Sequence, residues 1–260
     1  IDEELTKAAS VTTGQIYSAV IAKERRGEFL GGTIQAIPHV TNEIKSRVRD
    51  VGRETGAQVV IVEVGGTVGD IESQPFLEAI RQIRREERPE DTLSIHVTFL
   101  PHVGSTGEIK TKPTQHSVRE LRSMGIQPDI ILCRADYEVT AEIRRKISLF
   151  CDVEERGVIS LPTMDSIYQV PIVLQDENLG DYAIELMKLD AAPRDLTPWR
   201  QMVERLQHPT GMVDIAVVGK YVELHDAYLS IKEALIHAGV AHAVGVNIRW
   251  VHSERLEQEP

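Results

Sequence analysis

Cysteine is nearly absent from this chain of 260 residues: Cys133 and Cys151 stand alone, too few for the disulfide framework of a small secreted domain. That usage fits a reducing compartment, and the cytoplasm is the expected location. Aromatic residues make up only 5% of the chain, and 29 basic residues face 40 acidic ones, for a net charge of −11. Such a balance excludes broad attraction to nucleic acid or to an anionic membrane, so any phosphate site must be local. No apolar run approaches the roughly 20 residues needed to cross a bilayer, and the amino terminus has no signal-peptide pattern.

Several chemical signatures are also missing. No G-x-x-x-x-G-K-[ST] string occurs, because Gly219-Lys220 follows a strand-like run rather than a glycine loop. The nine histidines show no metal-binding spacing, and neither cysteine has the flanking glycines of a nucleophile on a sharp turn. The first residue is Ile1, without an initiator methionine, and the chain is expected to be a piece of a longer protein.

What is present reads as an α/β protein with a mostly parallel sheet. Short apolar runs at 57–64, 93–100, 129–133 and 158–161 alternate with helical patterns, as βαβ units require. The first run is rich in β-branched residues and predicts a strand buried on both faces. After it, Ser73 is expected to cap a helix with Pro75 in its first turn and an apolar face of Phe76, Leu77, Ile80 and Ile83. Thr114 is the expected cap of a second helix, in which Val118, Leu121 and Met124 recur until Gly125. A third helix carries Ile143, Ile147 and Phe150, with Lys146 at its edge. The pattern weakens near 189–209, where a linker is expected. Beyond it, strands at 213–218 and 244–251 flank a helix with Asp226 as its expected cap, the opening of a second α/β domain.

Two strings carry the chemistry. In Val62-Glu63-Val64-Gly65-Gly66-Thr67-Val68-Gly69-Asp70-Ile71-Glu72, three acids crowd a glycine turn at a predicted strand end. A nucleotide and metal site begins this way, and Glu63 is placed to share Mg²⁺ with phosphate and water oxygens. The plainer alternative is a turn with solvated acids. In Gly107-Glu108-Ile109-Lys110-Thr111-Lys112-Pro113-Thr114-Gln115-His116-Ser117, two lysines flank a threonine just before a helix amino terminus. Ammonium charge, hydroxyls and unsatisfied amides converge there on one anion, and a polyphosphate suits them better than a carboxylate. Lys146 is a candidate third cation; the alternative is an exposed basic loop with an ordinary cap.

These strings, together with Thr12-Thr13-Gly14-Gln15-Ile16-Tyr17, Lys23-Glu24-Arg25-Arg26-Gly27, Ile37-Pro38-His39-Val40-Thr41, Asp165-Ser166-Ile167-Tyr168 and Val218-Gly219-Lys220-Tyr221-Val222-Glu223-Leu224, run in order through nearly the whole chain. In them the chain resembles the CTP synthase family. The resemblance implies a P-loop-type amidoligase domain over 1–188, a linker over 189–211 and the start of a class I glutamine amidotransferase domain over 212–260. It implies ATP-dependent amination of UTP to CTP, with glutamine-derived ammonia, Mg²⁺ and GTP as activator, in a homotetramer with neither nucleic-acid nor membrane partners. By the same resemblance Glu63 is a Mg²⁺ ligand, Lys110, Thr111, Lys112, Pro113, Thr114, Gln115 and Lys146 hold UTP or CTP, and Asp70, Ile71 and Glu72 bind inhibitory CTP. Pro162, Thr163 and Met164 lie where relatives contact ATP, although relatives often carry a lysine or aspartate there. Arg25 to Thr41 is the implied subunit interface, with Gln35 and His39 near the nucleotide. The family's ATP loop and first metal aspartate would precede Ile1, and its amidotransferase triad would follow Pro260. Two other readings stay open: a non-catalytic pyrimidine-nucleotide-binding and assembly module, and another P-loop amidoligase such as a dethiobiotin-synthetase relative.

Overall fold

Thr12 opens the first helix, α1 (Thr13–Arg25), through a reciprocal cap: its hydroxyl accepts from the Gln15 amide at 3.3 Å, and the Gln15 side chain accepts from the Thr12 amide at 3.0 Å. Ile16 and Val20, four residues apart, share a face of α1 and are buried with Val40, with Ile44 of α2 (Thr41–Thr55) and with Ala79 of α3 (Gln74–Glu86). The protein is described by a computed structural model over residues 6–105 and 107–254.

Among these residues the chain forms two compact units, 6–163 with Glu177–Asp190, and Met164–Asp176 with 191–254. In the first unit β1 (Ile95–Phe99), β4 (Ile130–Ala135) and β5 (Val158–Pro162) form a parallel sheet in the order β1-β4-β5. A small antiparallel hairpin of β2 (His102–Val103) and β3 (Glu108–Ile109) follows β1. Helix α4 (Lys112–Ser123) connects β1 to β4, and α5 (Ala141–Cys151) connects β4 to β5. The core lies between sheet and helices, where Leu100, Ile131, Cys133 and Val158 meet Val118 of α4 and Ile147 of α5. Burying each large aliphatic side chain contributes about 1.5–3 kcal/mol, so this layer holds the helices against the strands.

The strand predicted over 57–64 does not form. That stretch has no regular secondary structure, and Ile61 is 90% exposed. An apolar run becomes a buried parallel strand only when neighbouring edges take up its N–H and C=O groups, and among the described residues no ladder includes it. Three capping expectations also change. Ser73 precedes α3 but turns its hydroxyl back to the Asp70 carbonyl, α4 begins at Lys112 with Thr111 before it, and Tyr228 rather than Asp226 precedes α9 (Leu229–Ala241). A short 3-10 turn over His225–Tyr228 displaces that last helix start.

In the second unit β6 (Met212–Gly219) and β7 (Gly245–His252) pair in parallel around α9. Helix α6 (Val170–Asp176) belongs to this unit, whereas α7 (Leu179–Leu186) belongs to the first. The Tyr168 hydroxyl, just before α6, donates to Glu233 of α9 at 2.8 Å and meets His237 Nε2 at 2.5 Å. Trp199, on α8 (Thr197–Gln207), donates its indole N–H to the Tyr168 carbonyl at 2.7 Å, and Arg200 pairs with Asp176.

Candidate phosphate-binding site

The loop after β3 places cationic side chains at the start of α4. Its backbone is anchored where the Lys110 amide donates to the Pro101 carbonyl at 2.8 Å. Pro113 sits in the first turn, where its missing N–H costs no helical hydrogen bond. Lys112 and Lys146 are exposed and Lys110 is half-buried, whereas Thr111, Thr114 and Gln115 are buried. Gln115 ties the turn together: its amide nitrogen donates to Thr111 Oγ1 at 3.0 Å, and its carbonyl oxygen accepts from Lys112 Nζ at 3.1 Å. Lys112 Nζ also lies 5.2 Å from the Phe150 ring centre, a cation–π contact with α5.

Glu108 is a participant that sequence reasoning missed. Its carboxylate accepts from Lys110 Nζ at 2.5 Å, and Lys110 first, then the more distant Lys146 charge, hold it below the usual carboxylate range. Lys110 and Lys146, predicted from separate segments, thus share the field at one carboxylate. The signal available in sequence was its two-residue spacing from Lys110 in a short hairpin.

The acidic turn lies elsewhere along α4. Asp70 Oδ2 accepts from the Thr67 amide at 2.9 Å and closes the glycine turn on itself. A Cβ on Gly66 would stand 3.1 Å from that oxygen, and Gly66 and Gly69 have φ of +90° and +106°, conformations that L side chains rarely adopt. Val64 and Val68 pack against the buried cluster of Leu77, Leu121 and Ile126, and a Cβ on Gly69 would lie 3.5 Å from Glu120 Cγ. The turn therefore meets the carboxyl half of α4, about 12 Å of helix from Lys112 at 1.5 Å per residue. Ile71 and Glu72 are exposed, and so is Glu63, within the irregular stretch rather than at a strand end. The structure gathers the predicted cations at one end of α4 and the predicted acids along its flank.

Among the described residues no group of three or more His, Cys, Asp or Glu side chains could cage a metal. A Mg²⁺ ion that takes one carboxylate and otherwise phosphate and water oxygens is compatible with Glu63 alone. At the end of β5, the Thr163 amide donates to the Ala135 carbonyl at 2.9 Å and its hydroxyl to Asp136 at 2.6 Å. Pro162 and Thr163 belong to the first unit and Met164 opens a segment of the second. Gln35 and His39 are joined by a 3.0 Å bond from the Gln35 amide to His39 Nδ1. Both cysteines are buried, and burial pushes the Cys133 thiol up to about 12 and that of Cys151 to about 11, so neither is a nucleophile at neutral pH. No helix among the described residues is long and apolar enough to cross a membrane.

A parallel sheet whose crossover helix presents lysines and buried hydroxyls at its amino terminus defines an α/β protein with a candidate phosphate site. Residues 1–189 match the family model for the CTP synthase N-terminus. The chain is 61% identical over 259 residues to the CTP synthase of Roseiflexus sp. (strain RS-1), covering 100% of this chain and 46% of that protein. It is 61% identical over 260 residues to that of Thermomicrobium roseum, with 99% and 47% covered, and 61% identical over 259 residues to that of Chloroflexus aurantiacus (strain J-10-fl), with 100% and 47% covered. The chain belongs to the CTP synthase family, with the P-loop-type amidoligase fold in its parallel sheet. It spans about half the length of these relatives.

Proposed function

We propose that the whole protein forms CTP from UTP, ATP and glutamine, and that this chain holds the triphosphate of UTP or CTP at the start of α4. In that reaction the γ-phosphoryl group of ATP passes to the uracil O4. Ammonia released from glutamine then attacks C4, and the new C–N bond forms as phosphate leaves. The observation that carries the reading is the convergence of Lys110, Lys112, Thr111, Thr114 and Gln115 on one helix start within the family-matched segment.

The residues divide the work. Lys110, Lys112 and Lys146 neutralise phosphate oxygens, while Thr111, Gln115 and the first-turn amides orient them and Thr114 fixes the turn from its buried face. Glu63 is the proposed Mg²⁺ ligand, and bound Mg²⁺ would offset charge on the transferring phosphoryl group. Pro162, Thr163 and Met164 border the proposed ATP site; with the Thr163 amide engaged by Ala135, a nucleobase there would meet remaining backbone carbonyls. Asp70, Ile71 and Glu72 are proposed to bind CTP as a feedback inhibitor, carboxylates accepting from ribose hydroxyls or the exocyclic amine. Their separation from the α4 cations favours sites completed between copies of a homotetramer, with Arg25 to Thr41 at the interface. The proposed domains are an amidoligase over 1–188, a linker over 189–211 and the start of a class I amidotransferase over 212–260, with GTP as activator and a cytoplasmic location.

By itself the chain is expected not to hydrolyse glutamine, since both its thiols are buried and protonated, and not to make CTP, since it holds no G-x-x-x-x-G-K-[ST] loop for ATP. Titration calorimetry with CTP tests the site. Lys110→Ala should weaken binding about tenfold, a loss of about 1.4 kcal/mol, and Glu72→Ala by less. Unchanged affinity in both variants would sink the assignment. A pyrimidine-nucleotide-binding module without catalysis is the second reading, and it gains ground if the chain binds CTP but the intact protein forms none.

A further inference from the structure

We infer that Thr98 and His96 are positioning residues, through which β1 sets where the start of α4 presents Lys112, Thr111 and Gln115 to a nucleoside triphosphate. The inference rests on the nucleotide reading of that helix start. Along β1 the side chains alternate: Ile95, Val97 and Phe99 are exposed, while His96 and Thr98 turn to the opposite face. Thr98 Oγ1 lies 2.9 Å from Thr114 Oγ1, and His96 Nε2 lies 2.9 Å from Ser117 Oγ. Thr114 and Ser117 are three apart and share one face of α4. The later strand residue meets the earlier helix residue, so the helix runs back along the strand and two polar rungs join them.

Two rungs do what apolar contacts at Val118 and Leu121 cannot. Apolar packing is non-directional and tolerates small slides, whereas a hydrogen bond holds its distance and angle. Buried polar pairs contribute only about 0.5–1.5 kcal/mol net, yet leaving one partner unsatisfied costs more, which favours a single arrangement. Burial holds the His96 imidazolium below its usual range, so the ring is neutral and its nitrogens have distinct donor and acceptor roles. From Thr114 the constraint reaches the ligand face within one residue: Gln115 holds both Thr111 Oγ1 and Lys112 Nζ. Displacing the first turn by a few tenths of an ångström would move all of these groups together.

Titration calorimetry of the chain with CTP, paired with urea unfolding, separates positioning from simple stability. Thr98→Val keeps the shape and removes the hydroxyl, Thr98→Ser keeps the hydroxyl, and Ser117→Ala breaks the second rung at a position where alanine suits the helix. Thr98→Val is expected to raise the CTP dissociation constant about tenfold, Ser117→Ala about threefold, and Thr98→Ser less than threefold. Wild-type affinity in both Thr98→Val and Ser117→Ala would overturn the inference, as would equal losses in Thr98→Val and Thr98→Ser, which would assign the effect to packing at the site and not to the hydroxyl. Should Thr98→Val fail to fold, Ser117→Ala decides alone. Absence of CTP binding by the wild-type chain would instead overturn the nucleotide reading, and this inference with it.

Discussion

Residues 57–64 and 130–135 are both mostly apolar, yet the structure treats them oppositely. The second run is β4, paired on both sides and buried along most of its length; the first has no ladder, and Ile61 is 90% exposed. Strand β5 is an intermediate case. It pairs with β4 on one side, while on the other Arg144 donates to the Val158 carbonyl at 3.4 Å and the Ser160 amide donates to Glu177 at 3.3 Å. Arg144 and Glu177 are themselves joined by bonds of 2.6 and 2.8 Å. A side-chain ion pair thus stands in for a missing neighbour strand. Apolar, β-branched composition permits a strand, and partners for the backbone make one.

Substitutions should separate these three cases. The largest effect is expected from Ile131→Asp, which puts an unpaired charge at a fully buried site: the first unit should lose more than about 4 kcal/mol and show no native unfolding transition in urea. Glu177→Ala should cost about 2–3 kcal/mol, because Arg144 would keep its partly buried charge without its bidentate partner and the Ser160 amide would lose its acceptor. Urea midpoints comparing it with Glu185→Ala, on the exposed Arg156 pair, test whether the edge position matters. A smaller effect concerns His96 on the strand at the other side of β4. Its pKa is depressed by burial, so the unfolded state takes up the proton first; stability is full above the unfolded value of about 6.5 and is lost as pH falls through the folded value. Urea midpoints at pH 7.5 and 5.0 should differ more in wild type than in His96→Gln. Ile61→Ala, at the exposed run, should change stability by no more than about 0.5 kcal/mol. A cost near that of a buried isoleucine would show that the run is covered in solution.

Much of the sheet was legible because its helices and strands are locally consistent. Short apolar runs and helical spacings located β1, β4, β5, α4 and α5 to within a few residues, and Gly125, with φ of +85°, ends α4 where the pattern stopped. The cationic end of α4 was legible for the same reason: lysine, proline and threonine before an apolar helical face identify a helix start and its charge. Caps were less so. Ser73, Thr114 and Asp226 have suitable side chains, but each is set by a turn or by a bond to another element, and Thr114 turns inward to Thr98. Glu108 went unnoticed because its pairing with Lys110 depends on how the short hairpin turns the two side chains together, which residue type and spacing do not fix.

Residue order alone determined the family, the α/β class and the chemical character of each candidate site, because these depend on side-chain type and local spacing. Only the tertiary structure decided that the acidic glycine turn lies along the carboxyl half of α4 while the cations gather at its start, and that residues 57–64 are not a strand within this chain. Such outcomes turn on long-range contacts: a helix face is shared out among the segments that pack on it, and a strand exists only where another backbone edge, or a side chain in its place, meets its hydrogen-bonding groups.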